Sequence, residues 1–313
     1  MKRTIILVLI LCLAMSGMTG CAQEQKTDGI SVVAVIFPEY DWARQIIGNE
    51  SVVQLHLLVD DGVDPHSFQP TVADMVTVSE CDLLIYGGGE SDAWLEDVLK
   101  KPSNKKMRTV ALLPLLGEKA YAEEIVAGMQ ISEPEDETDE HVWLSLRNTA
   151  LFCTAIAKEL TELDPEHAAA YQANLEQYLT KLRALDEAYQ QTVQAGSKDT
   201  IVVCDRFPYR YLTEDYGLHY YAAFPGCSAE TGASFETVVF LAERAKELAL
   251  NALIITETGD DRLARTVAEN AGRSEMSVLT LNAMQSVSLE QAAGTDYLTI
   301  MEQNRQVLAA ALD

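Results

Sequence analysis

Few residues in this sequence can do chemistry, and two of them are histidines in telling settings. His66 lies in Asp64-Pro65-His66-Ser67-Phe68-Gln69-Pro70, between two prolines. Each proline fixes its own φ and pushes the preceding residue toward extended conformations. The loop is therefore stiff, and a stiff loop holds a metal ligand in place before the ion arrives. A loop histidine taken alone is more often a surface residue. His66 gains weight from His141, in Glu140-His141-Val142-Trp143, and from polar side chains that follow β-branched runs further on: Cys204, Glu257 and Asn282. Cys227, in Pro225-Gly226-Cys227-Ser228, is a second thiol in a polar, turn-rich segment. Imidazole, thiolate and carboxylate are all metal donors.

These groups need elements to position them. Ser31 to Phe37 is a continuous apolar run, as expected of a strand covered on both faces. Helical and strand patterns then alternate through residue 112, with strands expected at 52–58, 81–86 and 107–112. That alternation predicts a parallel sheet flanked by helices. Gly87-Gly88-Gly89 ends one strand without a phosphate-loop pattern around it, and instead lets the backbone pass close to the ligand loop. A stripe of Tyr171, Leu175, Tyr178, Leu179, Leu182 and Leu185 marks one long helix over about 167–194. Beyond it the α/β pattern repeats, with strands expected at 200–204, 219–224, 252–256 and 277–281. Cys204, Glu257 and Asn282 then stand at carboxyl ends of strands, the edge where open α/β sheets bind ligands. The chain divides into a leader (1–20), a polar tether (21–29), a first lobe (30–165), the linking helix (166–195) and a second lobe (196–313).

Composition narrows the function. With 313 residues and a formal net charge of −25, the chain lacks the basic face that nucleic acid requires. A negative field suits a cationic ligand, and equally keeps an exported protein soluble. Glu133 to Glu140 is an acidic run leading into His141, read as a solvated loop. At the start, Lys2-Arg3 and the apolar run Ile5 to Met15 read as an export signal too short to be a comfortable membrane span. Met18-Thr19-Gly20-Cys21 looks like a bacterial lipobox, which implies cleavage before Cys21 and attachment of lipid to its thiol. In an exported protein a disulfide is allowed, and spacing names no pairing among Cys81, Cys153, Cys204 and Cys227.

Together these segments resemble the zinc- and manganese-binding solute-binding proteins of ABC transporters, over nearly all of the mature chain. Asp64-Pro65-His66-Ser67-Phe68-Gln69-Pro70 matches a motif like DPHxxxP, and His141-Val142-Trp143-Leu144 one like HVWL. The segment from Cys204-Asp205-Arg206-Phe207-Pro208-Tyr209 through Tyr216-Gly217-Leu218 is similar to HxAFxYxxxxYGL. The resemblance implies two α/β lobes, each a mostly parallel sheet flanked by helices, joined by one long helix, with the metal site in the cleft between them. It implies His66, His141 and Cys204 as metal ligands, with Asn282 in place of the usual carboxylate. Glu257 is then a fourth ligand or a partner orienting a histidine, and Cys227 either joins the site or pairs with Cys204.

Two imidazoles and a thiolate favour zinc, with copper(I) as an alternative, and the loss of two carboxylates argues against manganese. The implied role is capture of zinc for an ABC permease by a monomeric lipoprotein, held on the outer face of the cell membrane through Cys21. An adhesion or metal-sensing lipoprotein on the same fold is a second reading. A zinc hydrolase is a third, and it lacks an H-E-x-x-H or comparable pattern. The expectation is a binding protein and not an enzyme.

Overall fold

The computed structural model describes residues 29–50, 52–131, 138–228 and 232–313. The leader, the lipobox with Cys21, most of the tether and residues 132–137 of the acidic run lie outside them. Two four-stranded sheets organise the chain. The first contains β1 (Ile30–Ala34), β2 (Val53–Leu57), β3 (Leu83–Tyr86) and β4 (Arg108–Ala111), in the order β2-β1-β3-β4. The second contains β5 (Thr200–Phe207), β6 (His219–Pro225), β7 (Ala252–Ile255) and β8 (Ser277–Thr280), in the order β6-β5-β7-β8. Every strand pair is parallel. Both sheets therefore reverse direction next to their first strand, and such a switch point opens a crevice at the carboxyl ends.

Local chemistry accounts for the elements. Pro38 sits in the first turn of the helix Phe37–Ile47, where its missing N–H costs nothing. Thr71 and Asp74 form a reciprocal capping box at the start of Val72–Glu80. Ser145 accepts a hydrogen bond from the Asn148 amide and caps Leu146–Leu163. The long helix Ala168–Ala195 buries Tyr171, Leu175, Tyr178, Leu182 and Tyr189, all on one stripe. That stripe packs on Phe37–Ile47, Leu146–Leu163 and the last helix, Tyr297–Ala311. One apolar core runs from the first sheet across this helix into the second sheet. A separate core lies on the other face of the second sheet, under Phe235–Glu247 and Arg262–Asn270.

One strand differs from expectation with consequences for the site. β5 does not stop at Cys204 but continues to Phe207, with an irregularity between Val203 and Arg206. Cys204 is thus an interior strand residue. Alternation along the strand turns Val203 toward the large core and Cys204 toward the second one.

Candidate metal centre

Loops at the carboxyl ends of both sheets supply the site. After β2, Asp64 caps a turn at Pro65–Ser67 by accepting a hydrogen bond from the His66 amide at 3.0 Å. After β3, the glycine run allows close approach: a Cβ on Gly89 would stand 2.2 Å from Glu140 Oε2. Ser91 follows, and its hydroxyl donates to Glu140 Oε1 at 2.5 Å while lying 2.7 Å from His66 Nδ1. His66 Nδ1 is also 3.0 Å from Glu140 Oε1. His141 is fully buried, with Nδ1 3.0 Å from Asp139 Oδ1. Both Nδ1 atoms thus face carboxylate-bearing partners, which places their protons there and leaves both Nε2 lone pairs to point at the cleft. The two Nε2 atoms are 3.4 Å apart.

The second lobe adds two groups. After β6, Cys227 brings its sulfur so that His66, His141 and Cys227 all place a ligand atom within 4.8 Å of one another. Gly226 makes this possible, since a Cβ there would come within 3.1 Å of the His141 ring. After β8, the Gln285 amide nitrogen stands 3.1 Å from His66 Nε2 and 3.0 Å from His141 Nε2. The first lobe's HVWL segment is tied to this loop, because Trp143 Nε1 donates to the Ala283 carbonyl at 2.7 Å.

Charge around the site is arranged to favour a cation. Burial pushes the Glu140 carboxyl up, but hydrogen bonding and charge from His66, then His141, outweigh it and hold the group at about 2. Burial pushes the His141 imidazole down, and Asp139, then Glu140, more than reverse this, so it binds a proton more tightly than usual. Burial likewise pushes Asp64 up, and the Arg206 guanidinium overrides it to hold the carboxyl low. A cavity of about 20 Å³ lies behind His66, lined in part by Glu39, Asp92 and Glu140. Burial raises both of the first two carboxyls, that of Asp92 to about 6.

His66, His141 and Cys227 come together; Cys204, Glu257 and Asn282 do not join them. Cys204 is buried in the core on the far side of the second sheet, where burial pushes its thiol well above the usual range. It is not joined to Cys227. Glu257 accepts hydrogen bonds from the backbone amides of Ala283 and Gln285 at 2.8 and 2.9 Å, which commits both its oxygens to the loop. Asn282 accepts one from the Met284 amide at 2.7 Å and is braced by Asn304. Both residues shape the site's backbone from behind. The sequence reading missed Gln285, Asp139, Glu140, Ser91 and Arg206. The last was within reach. Counted back from Tyr216-Gly217-Leu218, the first position of HxAFxYxxxxYGL is Arg206 and not Cys204. Arg206 stands near the end of β5 and forms an ion pair across the cleft with Asp64.

Residues 32–311 match the family model described as zinc-uptake complex component A, periplasmic (ZnuA). The zinc-binding lipoprotein AdcA of Streptococcus pneumoniae is 26% identical over 321 residues, covering 100% of this chain and 62% of that protein. The chain thus spans less than two thirds of the length of that relative. The high-affinity zinc uptake system protein ZnuA of Bacillus subtilis is 26% identical over 308 residues, covering 94% of this chain and 91% of the relative. Among solved structures, the Zn(II)-bound ZnuA-like domain of Streptococcus pneumoniae AdcA superposes with a TM-score of 0.72 at 24% identity, over 91% of this chain and 99% of the domain. The metal-dependent lipoprotein YcdH of Bacillus subtilis gives 0.74 at 24%, over 90% and 99%. These structures share the two-lobed fold, and by its match over residues 32–311 this chain belongs to the family of periplasmic zinc-uptake component A.

Proposed function

We propose that the protein captures zinc outside the cytoplasm and delivers it to the permease of an ABC importer, with His66, His141 and Cys227 as the ligands. The spacing of the two imidazoles is the observation that supports zinc most. Two nitrogens bound at about 2.0–2.1 Å to one tetrahedral ion stand about 3.4 Å apart. His66 and His141 Nε2 already stand at 3.4 Å. Each ring is oriented by a carboxylate on its other nitrogen, as histidine ligands usually are. The names of the relatives point the same way.

A binding role fits better than hydrolysis. A zinc hydrolase keeps an open metal position for water, commonly with a spare carboxylate or histidine beside it as general base. Here Asp139 and Glu140 hold the histidines and Glu257 holds backbone. Among the described residues no helix is long and apolar enough to cross a membrane. The proposed attachment is the lipid on Cys21, and the proposed working unit is a monomer with lobes at 30–165 and 196–313 about the linking helix.

Metal capture would complete a closure already begun by Asp64–Arg206 and Trp143–Ala283, which bridge the lobes. The long helix packs against elements of both lobes and limits the swing. The reading is tested by zinc titration of the mature chain against a competing chelator, beside His66→Ala. One tightly bound zinc per chain, lost in the variant, is the expected result. Equal binding in both would overturn the site, and no need for the protein during growth in low zinc would overturn the role.

A further inference from the structure

Gln285 is only 4% exposed, and its amide nitrogen faces both histidine lone pairs at 3.1 and 3.0 Å. The two Nδ1 protons are committed to the Glu140–Ser91 pair and to Asp139. Both Nε2 atoms are therefore acceptors, and only the NH2 end of the amide can face them. In this orientation the two lone pairs that a metal ion needs are hydrogen-bonded.

The three atoms also form a triangle with edges of 3.4, 3.1 and 3.0 Å. Three donors on one tetrahedral zinc form a triangle with edges of about 3.4 Å. The outer atom of the amide thus stands where a third small donor belongs, with the Cys227 sulfur as the remaining ligand. An amide nitrogen has no lone pair to offer a metal, whereas an amide oxygen does. The terminal torsion of glutamine is broad and roughly two-fold, so a half-turn exchanges oxygen for nitrogen with little movement of the chain.

The backbone beneath is fixed. Glu257 holds the amides of Ala283 and Gln285, and Asn282 holds that of Met284. Met284 adopts φ 60, which a non-glycine residue keeps only when its surroundings impose it. The carboxamide is then the part of this loop that can turn.

Resting on the capture reading, we propose that Gln285 is a placeholder and specificity-determining residue. Its NH2 caps the two histidine lone pairs, and as zinc enters the amide turns so that Oε1 becomes a neutral fourth ligand. The cap slows entry. The neutral donor leaves one thiolate as the only charged ligand and so selects for an ion content with two imidazoles and one sulfur.

The test is stopped-flow zinc binding to the mature chain, with chelator competition for release, in Gln285→Ala, Gln285→Glu and His66→Ala. Removing the cap should speed association about tenfold in both Gln285 variants, the size of one or two net hydrogen bonds. Release should become faster in Gln285→Ala, which loses a donor, and slower in Gln285→Glu, which gains a charged one. Unchanged association in both, beside a His66→Ala variant that has lost binding, would overturn the placeholder and leave the capture reading standing. Retained binding in His66→Ala would overturn the ligand site on which the capture reading rests. The unsubstituted chain gives a second measure by 15N NMR. The Gln285 side-chain protons should resonate as donors to imidazole in metal-stripped protein and shift when zinc is added. Protons at solvent-exposed positions that zinc does not move would overturn the placeholder.

Discussion

The two lobes build their halves of the site by different means. In the first, the proposed ligands are two histidines, each held through its far nitrogen by a carboxylate partner, with His141 fully buried. In the second, the donors are a partly exposed thiol and a buried amide, each carried by a loop whose backbone is fastened from behind: Glu123 accepts from the Cys227 amide, and Glu257 from that of Gln285. The first half is held through its side chains, and the second through the backbone that carries its donors. Affinity should therefore depend most on the first lobe, and the choice of ion on the second.

The largest expected effect comes from breaking the first half. His141→Ala should weaken zinc binding by more than about 100-fold, since even partners that only orient a ligand cost about 10- to 100-fold. Chelator competition measures this. The second half gives the sharpest contrast between two thiols. Cys227→Ser should bind zinc much more weakly, because it exchanges a soft donor for a hard one. Cys204→Ser should bind zinc as the parent does, while losing about 1–3 kcal/mol of stability for a hydroxyl buried in an apolar core.

The carboxylates behind the histidines come next. Asp139→Asn should cost about tenfold in affinity by weakening the hold on the ring. Its effect on pH is the more telling one. Burial pushes the folded imidazole of His141 down, but Asp139 more than reverses this and holds it above its ordinary range. Zinc needs the neutral Nε2, so affinity in the parent should fall as pH drops through that raised value. In Asp139→Asn the fall should begin at lower pH, as titrations across a pH series would show. The smallest effect lies behind the site. Burial raises Asp92 from 3.8 to about 6, so the folded state holds its proton more tightly than the unfolded chain does. Stability from this group is present below about pH 4 and is lost as pH rises through about 6. Asp92→Asn should thus unfold later than the parent above pH 7, by on the order of 1 kcal/mol, and match it near pH 4.

Sequence periodicity served the fold well, because strands covered on both faces read as apolar runs and a buried stripe marks a long helix. The lobes' alternating patterns and the helix near 167–194 appear much as the residues suggested, with the helix at Ala168–Ala195. His66 and His141 could be singled out because proline stiffness and local motif surround them. The second half of the proposed site could not. Where β5 ends cannot be read from an apolar run that passes smoothly into Cys204-Asp205-Arg206-Phe207, and three more strand residues turn Cys204 into a core side chain. Glu257 and Asn282 are polar at the right edge of the sheet, but whether such a group faces a ligand or its own backbone depends on loop geometry. Gln285 carried no signal, since a neutral amide after Asn282-Ala283-Met284 matches no ligand pattern.

The most direct measurement is zinc-edge X-ray absorption on the loaded mature chain, beside Cys227→Ser and Cys204→Ser. A His66–His141–Cys227 centre predicts one sulfur at about 2.3 Å with nitrogen or oxygen at about 2.0–2.1 Å, the sulfur absent in Cys227→Ser and retained in Cys204→Ser. A parent spectrum without sulfur, or a sulfur that vanishes only in Cys204→Ser, would contradict it.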